Sequence, residues 1–408
     1  MSELKLRGGR PLFGEITVSG SKNAALPILF STLAAKGVSR IERVPDITDV
    51  AVAVELLKGF GARVLREGDT LYIDTRRLSY VTPSEKLISS IRASTYLIGA
   101  SLARFGRCAL SDFGGCNFSP RPIDMHIDAC IAFGAKFEGE SLVCDRLTHA
   151  EILFSKRSVG ATANSLILAA STEGESRIRG HAKEPHILNL VDFLRSAGAE
   201  ITVTDDEIRI CGGELHGGCT EVIGDMIEAG SYLAAAVVTD GEITVSGCSL
   251  SDMAAYLEFL SEVGAHIEID GNKITARRGS GSRHAVISAA PYPAYPTDLQ
   301  PIAASVMASL SGGEIYDTVF PSRFGYLEGL QTLGVDSVRG SGFALIRPSR
   351  LRGGRVTVPD LRGGAACLLA ALGADGESAL FSAEILERGY SELEKKLRSL
   401  GAEVDRIR

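Results

Sequence analysis

A cysteine, an aspartate, a lysine and a set of arginines, most of them within two residues of glycine or proline, are the residues with chemistry to offer. Cys116 stands in Phe113-Gly114-Gly115-Cys116-Asn117-Phe118-Ser119-Pro120-Arg121-Pro122, whose glycines and prolines read as a mobile loop. A loop thiol five residues before Arg121 can have a perturbed pKa and serve as proton donor or nucleophile; an idle surface thiol is the alternative. Asp298 follows Pro291, Pro293 and Pro296, which stiffen an extended segment and deliver the carboxylate to the start of a helix-like run. There it is a general base or a helix cap. Lys22 and Asn23, in Ser19-Gly20-Ser21-Lys22-Asn23-Ala24-Ala25-Leu26-Pro27, sit where a strand turns into a helix, a place suited to an anion. Arg92, Arg121, Arg323, Arg362 and Arg388 lie in loop or turn settings. Converging guanidiniums can neutralise a phosphate or carboxylate without metal, although solvated surface charge accounts for most arginines.

The composition narrows the class of ligand. A net charge of −7 argues against nucleic acid as the main partner, while leaving room for a local arginine cluster that takes a small anion. The start, Met1-Ser2-Glu3-Leu4-Lys5-Leu6-Arg7, is too charged for the apolar core of a secretion signal, and no run is long enough to span a bilayer. The eight cysteines form no CxxC pair, so reduced thiols in a cytoplasmic protein are expected, with no metal and no cofactor.

The elements that must position these residues repeat. Six times a helix-like stretch ends in glycine and runs into an alternating strand, at Gly61, Gly134, Gly198, Gly264, Gly334 and Gly401. The spacings stay near 68, one sixth of the 408 residues. A left-handed residue that stops a helix, followed by a change from 3.6 to 2 periodicity, predicts six α/β units, three to a domain, in two domains. Further helices are predicted over Ala24–Ala35, Ala161–Ser171 and Ala229–Val238, with strands after Gly14, Gly241 and Gly313. A ligand cleft between the domains is expected.

The ordered segments SGSKNAALPIL, IRAS, GGCNFSPRPIDMH, SVGAT, YPAYPTDLQ, VFPSRF, DLRGGAA and ERGYSELEKKL resemble the UDP-N-acetylglucosamine 1-carboxyvinyltransferases, a family of enolpyruvyl transferases of peptidoglycan synthesis. The resemblance implies an α/β fold of two inside-out α/β barrels, each of three repeated units: a first domain over 21–228 carrying the Cys116 loop, and a second over 1–20 and 229–408. It implies that phosphoenolpyruvate and UDP-N-acetylglucosamine are the substrates, with no membrane and no obligate protein partner. Cys116 matches the proton donor, which fosfomycin would alkylate, and Asp298 the residue near the acceptor hydroxyl. Lys22 and Asn23 match the phosphoenolpyruvate-binding pair. Arg121, Arg362 and Arg388, with Arg323 and Asp360 beside them, match the surroundings of the donor's phosphate and carboxylate. Arg92, Arg121, Pro122, Ile123, Asp124 and Met125 match positions that hold the nucleotide sugar. So do Lys156, Arg157, Ser158, Val159 and Gly160, and Val319 matches a backbone contact to the sugar. Met226 stands where the family more often has arginine. Rival readings are the sister enzyme of shikimate 3-phosphate, a paralogue with another uridine-nucleotide acceptor, and a non-catalytic nucleotide-sugar sensor.

Overall fold

The structure is a computed structural model that describes residues 2–110, 122–281 and 283–407. Its contacts divide the chain into two compact units, Gly20–Ile223 and Met1–Ser19 with Gly224–Arg408. Among the described residues each unit carries three sheets.

One repeat makes the rest intelligible. Strand Ala285–Ala289 runs parallel to Gly313–Asp317, and helix Gln300–Ser309 joins them. Helix Leu327–Thr332 follows, and the hairpin Ser337–Gly340 with Phe343–Ile346 completes a four-stranded sheet, Phe343–Ile346 pairing antiparallel with Gly313–Asp317. The same order recurs from Glu151–Leu153 through helix Val159–Ala170 to Glu207–Gly212. In three repeats a strand arrives from far along the chain, Cys219–Glu221 pairing parallel with Val38–Glu42 in one of them. Phe13–Thr17 pairs parallel with Glu242–Ser246, and Glu3–Gly8 lies between Gly376–Phe381 and Glu403–Ile407, antiparallel to both. Those two strands tie residues 2–19 to the C-terminal half. The sheet of Arg107–Ala109, Ser141–Val143 and Lys136–Glu138 has three strands among the described residues.

In five of the repeats the first helix is buried on nearly all sides. Met226–Val238, Gln300–Ser309 and Leu361–Gly373 pack against one another in the middle of their unit, while the sheets lie outside. Runs such as Ala234-Ala235-Ala236 and Gly363-Gly364-Ala365-Ala366 supply the small side chains that let such helices approach closely, and an all-round apolar helix is stable only inside. Helices Lys22–Ser31 and Val159–Ala170 are enclosed in the same way in the other unit.

The second helix of each repeat ends where the sequence predicts. Gly61, Gly134, Gly198, Gly264, Gly334 and Gly401 all have φ between 94° and 113°. At the first of them Ala62 N–H donates to Leu57 O (3.2 Å) and Gly61 N–H to Lys58 O (2.8 Å), the paired bonds that close a helix through a left-handed residue. The same pair recurs at 134–135, 198–199, 334–335 and 401–402. The first helices depart from expectation at their ends. Lys22–Ser31 stops four residues before Ala35, and Met226–Val238 begins three before Ala229 because Asp225 caps it, Oδ1 accepting from Ile227 N–H (2.8 Å) and Glu228 N–H (3.2 Å).

Candidate functional site

Within Gly20–Ile223, Lys22 is the first residue of its helix and Ser21 the cap. The lysine Nζ lies 2.6 Å from Asp49 Oδ2, with both side chains largely buried. The sequence reading did not single out Asp49, which sits in the first turn of helix Thr48–Gly59. The pairing holds the lysine head in place. Asn23 follows, half-buried. Arg92, also half-buried, opens the short 3-10 helix Arg92–Tyr96. Pro122 and Asp124 are exposed and Ile123 and Met125 half-buried, at the start of helix Asp124–Ala132. Lys156 and Arg157 are exposed. Ser158 caps helix Val159–Ala170 by accepting from Ala161 N–H (3.3 Å), which leaves Val159 and Gly160 as its first turn. Cys116 and Arg121 lie outside the described residues.

The other unit gathers Asp298, Arg323 and Arg362 from three separate segments. Asp298 Oδ1 accepts from Arg323 Nη1 (2.8 Å), and Oδ2 accepts from Arg362 Nε (3.1 Å) and Nη2 (3.1 Å). Both arginine side chains are 4% exposed, whereas the carboxylate is 26% exposed and so keeps an accessible edge. This settles two open readings. Asp298 is no helix cap: the following helix, Gln300–Ser309, has Leu299 at its N-cap position and no side-chain cap. Arg323 and Arg362 are not solvated surface charge. Burial alone would lower the Arg362 pKa; Asp298, with Tyr390 and Asp225, outweighs it and leaves the guanidinium above its ordinary value. The Nη1 of Arg362 has no hydrogen-bond partner among the described residues. Asp360 places this arginine by capping helix Leu361–Gly373, Oδ1 accepting from Arg362 N–H and Gly363 N–H at 3.0 Å each. Arg388 is half-buried at the end of the 3-10 helix Ala383–Arg388.

Asp317 is a second carboxylate the sequence did not announce. Its Oδ2 accepts from Thr297 Oγ1 (2.6 Å), and its Oδ1 accepts from Val319 N–H (2.9 Å) and Phe320 N–H (2.7 Å). Burial pushes its carboxyl above the ordinary range against those bonds. It thereby joins the residue before Asp298 to the Val319 turn. Met226, in place of an arginine, packs half-buried on the apolar core. Beside it Glu228 accepts from Lys396 Nζ (2.5 Å) and Ser19 N–H (2.7 Å), a buried pair where the chain leaves and re-enters this unit.

Comparison with known proteins fits this architecture. The model of the EPSP synthase (3-phosphoshikimate 1-carboxyvinyltransferase) family matches residues 6–397. The chain belongs to this family. Among enolpyruvyl transferases it is 39% identical to the UDP-N-acetylglucosamine 1-carboxyvinyltransferase of Wolbachia pipientis subsp. Culex pipiens, over 97% of each chain. It is 36% identical to the protein of the same name from Clostridium botulinum over 100% of both. The enolpyruvyl transferase NikO from Streptomyces tendae superposes with a TM-score of 0.91 at 25% identity, covering 100% of this chain and 99% of that one. The fold is therefore the enolpyruvyl transferase fold, two α/β domains of three repeats each.

Asp49, Asp317, His126 and Asn164 are the polar residues near the candidate positions that sequence reasoning missed. Each is a buried polar group, and a polar residue in an apolar run is the only trace such a group leaves in a sequence.

Proposed function

We propose that the protein transfers the enolpyruvyl group of phosphoenolpyruvate to the 3′-hydroxyl of UDP-N-acetylglucosamine, releasing phosphate. This is the first committed step of peptidoglycan synthesis, and we place it in the cytoplasm. The observation that carries the reading is the full-length identity of 36–39% to proteins of that name. The Asp298–Arg323–Arg362 cluster supports it, because the reaction needs a base beside fixed positive charge.

The Cys116 thiol gives its proton to C3 of the donor, which makes C2 electrophilic. The sugar oxygen bonds to C2 and its proton passes to Asp298, giving a tetrahedral phosphate ketal. The C–O bond to phosphate then breaks, the proton held by Asp298 leaving with the phosphate, and C3 returns a proton to the thiolate to restore the double bond. Phosphorus is never attacked. Lys22, Asn23, Arg121, Arg323, Arg362 and Arg388, with Asp360 holding Arg362, neutralise the donor's phosphate and carboxylate. Arg92, residues 121–125, residues 156–160 and Val319 hold the nucleotide sugar.

The test mixes the protein with phosphoenolpyruvate and UDP-N-acetylglucosamine, with other uridine nucleotides in parallel, and follows phosphate release. Release that depends on UDP-N-acetylglucosamine is expected. In Asp298→Asn it should fall by at least ~100-fold with binding of both substrates retained. Release with a different acceptor only would replace the substrate, and undiminished release by Asp298→Asn would remove it as base.

A further inference from the structure

Three segments assigned above to the nucleotide sugar meet at one buried amide. Asn164 belongs to helix Val159–Ala170 and is 0% exposed. Its Oδ1 accepts from Gly99 N–H (2.8 Å), an N–H that can only donate, so the amide orientation is fixed. Its Nδ2 then donates twice, to Thr95 O (3.0 Å) in the Arg92–Tyr96 turn and to His126 Nδ1 (2.7 Å) in helix Asp124–Ala132. Because Nδ1 accepts, the imidazole proton sits on Nε2. The ring also packs against the third segment: a Cβ added to Gly160 would come within 2.6 Å of His126 Cε1 and 2.9 Å of Nε2.

The chemistry proposed for this enzyme uses neither Asn164 nor His126. Both are buried, and they touch the backbone or the side chains of the turn that carries Arg92, the helix that begins at Asp124, and the first turn that carries Gly160. A buried polar network costs stability wherever it is incompletely satisfied, and here the satisfied bonds link these elements, together with helix Leu97–Phe105 through Gly99, and no sheet.

We propose that Asn164 and His126 are positioning residues for the nucleotide sugar. They lock the Arg92 turn, the 122–125 segment and the Ser158–Gly160 turn into one arrangement before the ligand arrives. The ligand then binds without the cost of ordering three separate segments. The proposal rests on the assignment of those segments to a uridine diphosphate sugar.

The test is calorimetric titration of UDP-N-acetylglucosamine into the full-length protein and into Gly160→Ala, His126→Ala and the double variant, with thermal unfolding and the KM for phosphoenolpyruvate measured alongside. Each single change should weaken binding about tenfold, with the phosphoenolpyruvate KM moving less than about twofold. The double variant should bind more tightly than the product of the two losses implies, since removing the ring makes room for the new Cβ. Folded single variants that bind within about twofold of wild type, or losses that simply multiply in the double variant, would overturn the proposal. Should His126→Ala not fold, Gly160→Ala reads the same contact, and normal binding there overturns it too. No binding of UDP-N-acetylglucosamine by the wild type would instead sink the substrate reading, and this inference with it.

Discussion

His126 keeps its imidazole neutral by two means that act together. Burial, helped by the charge of Arg92, pulls its pKa from 6.5 down to about 4, and Asn164 Nδ2 already occupies the direction from which Nδ1 would take a second proton. The sign of the consequence follows from linkage. Between pH 6.5 and 4 the unfolded chain binds a proton at this residue and the folded one does not, so acid favours unfolding over that window. At pH 5 the term is about 2 kcal/mol, and at pH 7.5 it is close to zero. Urea unfolding of wild type and His126→Gln should therefore give a stability difference that shrinks by this amount between pH 7.5 and 5.0. A difference independent of pH would show that the ring takes up its proton at the same pH in the folded and unfolded chain. The same residue marks the limit of what the sequence discloses. Lys22, Asp298 and all of the arginines except Arg92 could be picked out because glycine or proline stands within two residues of them. Asp49, Asn164 and Asp317 could not, because their partners are defined only once separate segments meet: Asn164 bonds a residue 65 positions away. In the sequence Asn164 is one polar interruption of an Ala- and Leu-rich stretch.

Helix ends differ in how much of their cause is local. The six glycines could be read directly because the requirement for positive φ falls on one residue and any side chain there is strained. The end of Lys22–Ser31 could not. The composition stays Ala- and Leu-rich to Ala35, but Ser31 Oγ donates to Ile28 O and Thr32 Oγ1 to Leu29 O (2.7 Å each), and such back-bonding offers the backbone an exit from the helix. Gly401 isolates the conformational cost. It has φ +95° and nothing within 4 Å of an added Cβ, so Gly401→Ala meets no neighbour and only backbone strain remains. Equilibrium denaturation of that variant should show a loss of about 1 kcal/mol. Gly134→Ala should lose more, because its Cβ would also approach Thr148 Oγ1 at 3.3 Å. Equal losses at the two sites would mean that φ alone sets the cost, and no loss in Gly401→Ala would mean that packing, and not φ, sets the requirement.

At the scale of the whole molecule the chain closes on itself. Glu3 pairs with Ile407 and Leu4 with Arg406 across adjacent antiparallel strands, so the first and last strands are neighbours. Leu4 and Leu6 are core residues of that unit, and Glu3–Gly8 also pairs with Gly376–Phe381 on its other side. Removing residues 2–8 would strip an inner strand from its sheet, leaving two ladders unpaired and a gap over the inner helix Leu361–Gly373. Joining the ends should do no such harm. Residues paired across an antiparallel ladder lie about 5 Å apart, a gap that a linker of a few glycine and serine residues spans easily. New ends can be opened between Gly271 and Asn272, an exposed hairpin turn between Ala265–Asp270 and Lys273–Arg278. The repeat explains why the cut is tolerable: the turn sits outside, on the third and fourth strands of a unit, while the helices that carry the candidate residues stay continuous. The permuted protein should release phosphate within about threefold of the wild-type rate and melt within about 5 °C of it, whereas the 2–8 deletion should be insoluble. A folded, active deletion variant would show that Glu3–Gly8 is dispensable, and an unfolded permutant that the pairing of Glu3 with Ile407 does not set the closure of the fold.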